Sequence, residues 1–176
     1  MVTIAEELED LYPVDADHPI FMKGFVSGNY GMYNRHWLNT TSANIIAGMG
    51  LLRATGGAEH TCTEWGANCE VGYGVAGWDK TQVARDSTNV YHCAYASGDL
   101  IPVYPFAENA GAIFQGYVAD TNGNWNADAP CDAGAVGTFL TGDLANRIYA
   151  RVLYYIADTA ETAQLVVLYI AQGMGG

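Results

Sequence analysis

Two apolar runs near the C-terminus constrain the fold of this chain more than any other feature of its sequence. Between residues 147 and 157 every second residue is apolar, and this period of two is typical of a β-strand with one buried face. Residues 163–171 form a nearly continuous apolar run, as in strands buried on both faces. Both runs are long enough for helices, but their content of Val, Ile and Tyr favours strands. The sequence therefore predicts two strands at its C-terminal end.

Further strands are predicted in the middle of the chain, over residues 100–106 and 112–119. Pro102 and Pro105 favour an edge position for the first of them, because proline has no N–H to donate to a neighbouring strand. Residues 42–53 fit a helix or a strand, since glycines weaken the helical pattern there. Together these patterns predict a mainly β protein, a compact barrel or sandwich-like domain with one or two short helices.

The N-terminal part differs from the rest and is predicted to form an extended arm. A Thr and a Glu at capping-box spacing predict a short helix over residues 3–12. The arm is assigned to residues 1–40 and the β-rich domain to residues 41–176. A soft boundary is expected near residue 98, where an irregular aromatic stretch gives way to predicted strands.

The charge balance excludes some classes of partner. Of the 176 residues only 15% are charged, with 19 acids, seven bases and a formal net charge of -12. Contacts with nucleic acid require clustered Lys and Arg on the protein, and so does binding to an anionic membrane surface. We therefore expect neither nucleic acid nor membrane as a partner.

The acids are concentrated at the N-terminus: six of the 19 lie in the first 17 residues, and no base precedes Lys23. Such a segment is either a solvated arm or a strip that docks onto a basic partner. The low charge and the 21 glycines and 12 tyrosines favour a surface partly covered by neighbouring molecules. The residues expected to contact a partner are acidic and aromatic side chains of the arm: Glu6, Glu7, Glu9, Asp10, Phe21, Phe25, Tyr30, Tyr33 and Trp37.

Four cysteines leave three interpretations open. They are Cys62, Cys69, Cys93 and Cys131, with a histidine close in sequence to the first and the third. A zinc site is disfavoured because structural zinc ligands usually come in tight Cys-x2-Cys pairs. A Cys62–Cys69 disulfide across a small hairpin would require an oxidising environment, and buried free thiols are the other alternative.

Oxygen-bearing side chains alternate over residues 120–128 in a pattern that resembles the first half of a calcium loop. The candidate ligands are Asp120, Asn122, Asn124 and Asp128. Trp125 occupies the position that requires glycine in such a loop, so a hydrogen-bonded turn is favoured over a metal site. We accordingly predict no metal and no cofactor.

No catalytic template identifies an enzyme. The sequence contains no G-x-S-x-G elbow, no P-loop and no H-E-x-x-H motif. We predict no catalytic residues and a protein that is not an enzyme.

Three short phrases in the C-terminal half combine an apolar strand with a glycine-containing turn. They are Gly-Asp-Leu-Ile-Pro-Val at 98–103, Ile-Phe-Gln-Gly-Tyr-Val-Ala-Asp at 113–120 and Ala-Gly-Ala-Val-Gly-Thr-Phe at 133–139. Over about residues 98–170 the chain resembles the small decoration, or cement, proteins of tailed-bacteriophage capsids. The resemblance implies a virion structural protein on the capsid exterior, made in the host cytoplasm. It would bind the major capsid protein and copies of itself, with a trimer favoured.

Two alternatives to this role stay open at the level of sequence. The chain fits another virion component, such as a tail or neck protein. It also fits a secreted or cell-surface β domain that binds a glycan or a receptor, because Tyr and Trp can stack on sugars.

Overall fold

The computed structural model describes residues 21–22, 35–54, 59–77, 94–119, 128–141, 147–155 and 163–171. The regular structure of these ranges consists of strands, with no helix among them, so the predicted mainly β class is confirmed. The strands are β1 Phe21–Met22, β2 Arg35–Asn39, β3 Ile45–Ile46, β4 Gly50–Arg53, β5 Thr61–Glu64, β6 Gly74–Ala76, β7 Ala94–Tyr95, β8 Leu100–Pro105, β9 Ile113–Ala119, β10 Pro130–Ala133, β11 Phe139–Thr141, β12 Ala150–Tyr155 and β13 Ala163–Ile170. The helix predicted over residues 3–12 lies outside the described residues.

Five strands form a closed barrel in the order β2-β5-β4-β6-β8. β2 pairs in parallel with β5 and antiparallel with β8, which closes the ring. A cluster of buried side chains fills this part of the molecule, and it includes Trp37, Ile45, Leu51, Cys62, Tyr95, Ile101 and Val103. Because β2 is a barrel strand, the arm expected over residues 1–40 includes part of the β-rich domain.

The other large sheet has six strands in the order β1-β9-β11-β10-β12-β13, and β13 also pairs with β9. β1 and β11 pair with the two ends of one edge of β9, while β13 runs along its other edge. The second buried cluster lies here, with Phe114, Val118, Cys131, Phe139, Ala150, Val152, Leu168 and Ile170 among its members. A separate two-stranded ladder joins β3 to β7.

Trp65 connects the barrel to the six-stranded sheet. It follows β5 and is fully buried, and its indole Nε1 donates to the carbonyl oxygen of Thr138 at 2.8 Å. Its ring lies 4.8 Å from the ring of Phe139 and 4.9 Å from that of Tyr149, measured between centroids. The Tyr149 hydroxyl in turn donates to the carbonyl oxygen of Cys69 at 2.7 Å. These contacts fix the loop after β5 against the sheet.

Most of the predicted strands are present, with one correction and one open alternative decided. Residues 100–105, 113–119, 150–155 and 163–170 form strands as predicted. The edge position expected for residues 100–106 is wrong, because β8 lies between β6 and β2 in a closed barrel that has no edge. Residues 42–53 contain two short strands, β3 and β4, joined by a turn at the positive-φ residue Gly48. Within the described ranges no helix has the length and apolar character needed to cross a bilayer.

Candidate functional site

A pocket of about 400 Å³ opens at one end of the barrel. It lies where β2 and β5 begin and β4 ends, because Leu38 pairs with Thr61 and Arg53 pairs with Cys62. The lining side chains combine cationic, anionic, polar and apolar groups, and they are Arg35, Trp37, Arg53, Ala54, Glu59, His60 and Thr61. Strand register thus brings together residues that are dispersed along the sequence.

Arg53 lies over two aromatic rings of the barrel. Its guanidinium carbon is 5.2 Å from the ring centroid of Trp37 and 5.0 Å from that of Tyr73. The two rings stack on each other, with centroids 4.2 Å apart and an interplanar angle of 20°. Cation–π contacts of this kind hold a guanidinium in place while its N–H groups remain able to donate. The ion pairs between described residues join Arg35 to Glu108 and Arg151 to Asp128, so neither involves Arg53.

His60 and Trp37 have unusual features beside the same pocket. His60 adopts a φ of 65°, a conformation that few non-glycine residues take. Its ring meets that of Trp37 edge-on, with centroids 6.0 Å apart. The indole Nε1 of Trp37 is buried and has no hydrogen-bond acceptor, and a buried donor without a partner costs free energy. Strained and unpaired groups of this kind are typical of functional sites.

The residues expected to contact a partner have different positions in the structure. Trp37 is only 2% exposed and belongs to the barrel core. The cause is the alternation of side chains along β2, which directs Trp37 and Asn39 inwards and places His36 and Leu38 on the outer face. The backbone of Phe21 pairs with Phe114 of β9. The other residues of that set, Glu6, Glu7, Glu9, Asp10, Phe25, Tyr30 and Tyr33, lie outside the described residues.

Cys62 and Cys69 are both free thiols, so the disulfide, one of the three interpretations left open, is not formed in this structure. Cys62 belongs to the barrel cluster, and its thiol donates weakly to the carbonyl oxygen of Leu38 at 3.7 Å. Cys69 packs against the cluster of the other sheet. The two side chains therefore face different cores. Cys131 is also free, and Cys93 lies outside the described residues.

Burial favours the protonated forms of Cys62, Cys131 and Tyr169, and it also raises the pKa of Tyr149. It raises the pKa of the Cys62 and Cys131 thiols from 9.0 to about 12. Burial, reinforced by the hydrogen bond to Asp128, raises the pKa of Tyr169 from 10.0 to about 12. The charged forms of all four groups are thus disfavoured in the folded protein.

These shifts predict a loss of stability at alkaline pH. In the unfolded chain the thiols lose protons near pH 9 and the Tyr169 phenol near pH 10, while the folded protein retains these protons up to about pH 12. Their contribution is therefore complete below pH 9 and is lost as pH rises towards 12. Urea unfolding at pH 8 and pH 10.5 should give a lower midpoint at pH 10.5. A Cys62→Ala/Cys131→Ala variant should show a smaller difference, and equal midpoints for the unmodified protein would contradict the prediction.

Asp128, one of the four candidate calcium ligands, is engaged in other contacts. It accepts a short hydrogen bond from the hydroxyl of Tyr169, and the guanidinium of Arg151 lies 3.5 Å from its carboxylate. A cation next to this carboxylate opposes the binding of a metal ion. Asp120, Asn122 and Asn124 lie outside the described residues. Within the described ranges no cluster of three or more His, Cys, Asp or Glu side chains could hold a metal.

One glycine pattern that matches the dinucleotide-binding fingerprint has a structural role. Residues 72–77 read Gly-Tyr-Gly-Val-Ala-Gly, but Gly74–Ala76 form barrel strand β6, whereas the fingerprint requires a turn at these positions. A Cβ on Gly74 would lie 2.3 Å from the carbonyl oxygen of Tyr104. Close packing of β6 on β8 therefore accounts for this glycine.

The described surface exposes four large apolar side chains, Leu38, Val71, Leu100 and Val136. Leu38 and Leu100 are directly opposite each other on β2 and β8. Both are substantially exposed, at 37% and 55%. Paired apolar side chains on the outside of a rigid barrel are suited to contact with another protein.

No family model and no curated protein matches this chain. Among solved structures, the chain is similar to the head fiber gp8.5 N base of bacteriophage phi29, with 15% sequence identity and a TM-score of 0.44. The alignment covers 80% of this chain and 95% of that one. Similarity at this level does not establish a shared function.

Proposed function

We propose that this chain is a structural protein of a phage virion that binds the outside of the capsid lattice and stabilises it. The observation that carries the proposal is the exposed pair of Leu38 and Leu100 on neighbouring barrel strands. Burying two leucines in a contact contributes favourably through the hydrophobic effect. The barrel holds both in fixed positions, which lowers the entropic cost of binding.

The three segments that resemble decoration proteins agree with this role. Residues 98–103 contain a turn and the start of β8, residues 113–119 form β9, and residues 133–139 contain the tight turn between β10 and β11. Each segment is thus part of the scaffold. Repeated binding on a lattice requires such a rigid β framework with shape-matched surfaces.

The acidic N-terminal segment is the second part of the proposed contact. With six acids in the first 17 residues, it would steer the protein towards basic patches on a shell. Binding through both the segment and the leucine pair would increase the overall affinity, because the second contact forms within the same complex. The protein would act with copies of itself, as a trimer in the favoured arrangement, and without catalysis.

Binding to shells assembled without this chain tests the proposal. A Leu38→Ser/Leu100→Ser variant should bind roughly tenfold more weakly or worse, as expected for truncation of central contact residues. Its thermal unfolding should change little, because both side chains are exposed. A Val71→Ser variant, which alters an exposed valine outside the leucine pair, is the matched control and should bind normally.

Deletion of residues 1–17 should also weaken binding, and more strongly at low ionic strength than at high, because the missing contacts are electrostatic. Cosedimentation with shells at two salt concentrations measures both effects. The proposal is wrong if neither the leucine variant nor the deletion changes the amount of protein bound. Light scattering on a sized column would give the native mass, for which we expect a trimer.

A further inference from the structure

The pocket at the barrel end is lined by more cationic than anionic side chains, although the whole chain is acidic. The protein carries a net charge of -12 and only seven bases. The described residues include four arginines, and two of them, Arg35 and Arg53, line this one pocket together with His60. A local concentration of cationic groups in an acidic protein favours an anion at that position.

Arg53 is the group best prepared to receive the anion. The Trp37 and Tyr73 rings hold its guanidinium through contacts of 5.2 and 5.0 Å, so little side-chain entropy remains to be lost on binding. Arg35 is already paired with Glu108, which neutralises most of its charge, so Arg53 supplies most of the positive potential of the pocket. A guanidinium presents N–H donors in a planar fork that matches the oxygens of a carboxylate or a phosphate.

The remainder of the lining suits a ligand with both hydroxyl groups and an apolar face. Glu59 and Thr61 supply oxygens that can hydrogen-bond to hydroxyls, and Ala54 and the stem of Arg53 supply apolar surface. The volume of about 400 Å³ falls in the range of small-molecule pockets, and a bare inorganic anion would leave much of it empty. A sugar ring has the required combination of hydroxyl groups and apolar faces.

We propose that this pocket binds a sugar unit that carries an oxyanion, with Arg53 and His60 contacting the oxyanion and Glu59 and Thr61 contacting hydroxyl groups. The oxyanion is a phosphate or a carboxylate, which share the geometry that the arginine fork recognises. Binding is non-covalent. The assignment does not depend on the proposed lattice contact, since the exposed leucines are not among the pocket residues.

A protein-detected NMR titration of the full chain tests the site. The probes are glucose 6-phosphate and glucuronate, each compared with glucose and with the matching simple anion, inorganic phosphate or acetate. At least one anionic sugar should bind with a dissociation constant in the millimolar range or tighter. It should bind more tightly than glucose and more tightly than its simple anion. The preferred anionic sugar identifies the oxyanion.

Substitutions in the pocket should shift the affinity in opposite directions. Arg53→Gln should weaken binding roughly tenfold or more, since it removes a charge-assisted contact, and Arg151→Gln in the other sheet should leave affinity unchanged. His60→Asn should weaken it less, and asparagine tolerates the positive φ at this position. Glu59→Gln should strengthen binding, because it removes a negative charge beside the anion. Misfolding cannot produce such a gain.

Three results would overturn the proposal. The first is that neither anionic sugar binds in the millimolar range. The second is that glucose or the simple anions bind as tightly as the anionic sugars. Equal binding of glucose would show that the oxyanion is not recognised, and equal binding of the simple anions would show that the sugar is not recognised. The third is that a synthetic peptide of residues 1–17 binds the pocket more tightly than either sugar and loses affinity with Arg53→Gln. The pocket would then take an acidic peptide.

Discussion

Replacement of Trp65 by alanine is expected to lower the free energy of unfolding by about 3–5 kcal/mol, which is a large part of the total stability of an ordinary domain. Trp65 is fully buried, and its ring contacts Phe106, Phe139 and Tyr149. Truncation would open a cavity between the barrel and the six-stranded sheet. It would also remove the donor to the carbonyl oxygen of Thr138.

Urea unfolding followed by circular dichroism measures this effect. Trp65→Phe keeps a ring in the same place but removes the N–H donor, so it should cost less than Trp65→Ala. Val71→Ala, at a side chain that is 73% exposed, should lie within about 0.5 kcal/mol of the unmodified protein. A Trp65→Ala variant as stable as this control would show that the two sheets are not held together through Trp65.

Gly50→Ala is expected to destabilise the protein by about 1–3 kcal/mol or more, as overpacking of a core does. A Cβ on Gly50 would lie 2.2 Å from two atoms of the Trp65 ring, which is far inside van der Waals contact. The ring cannot move away easily, because the Phe139 and Tyr149 rings and the hydrogen bond to Thr138 hold it. The cost should therefore come from a clash with one identified side chain.

A double-mutant cycle isolates that clash. In the Trp65→Ala background, Gly50→Ala should cost roughly 0.5 kcal/mol or less, because the new methyl group then enters the space left by the ring. Gly66→Ala is the matched control, since a Cβ there meets nothing within 4 Å. Additive effects of the two substitutions, or a Gly50→Ala variant as stable as Gly66→Ala, would contradict this packing.

The C-terminal strands could be predicted because their signal is local. In β12, Ala150 and Val152 are buried as the alternation requires, and β13 follows as a run of Val, Leu, Tyr and Ile. In both strands, the spacing of apolar residues along the chain itself indicates a buried strand. No knowledge of distant contacts was needed to predict them.

The barrel could not be predicted in the same way. Its strands are short, from three to six residues, and glycines and prolines interrupt the apolar pattern. The closure depends on pairing Arg35–Leu38 of β2 with Leu100–Val103 of β8, which are distant in sequence. Pro102 and Pro105 indicated an edge strand because each lacks an N–H group for pairing. The sequence does not show that the five strands close into a barrel without an edge.

The candidate pocket was missed for a related reason. Arg35, Arg53 and His60 belong to three separate segments, and only the register of β2, β4 and β5 brings them together. Each residue on its own is typical of a solvated surface. One feature of the sequence could have indicated the pocket. The chain has only seven basic residues, and two of them, Arg35 and Arg53, lie within residues 35–53 and close to Trp37.

Gold labelling of virions tests the central claim most directly. If the chain is a phage virion protein as proposed, antibodies against it would be applied to intact particles of that phage and examined by electron microscopy. We expect gold particles on the outside of the heads, at many positions on each head. Label confined to tails would contradict the assignment to the capsid exterior, and particles without any label would contradict a virion role altogether.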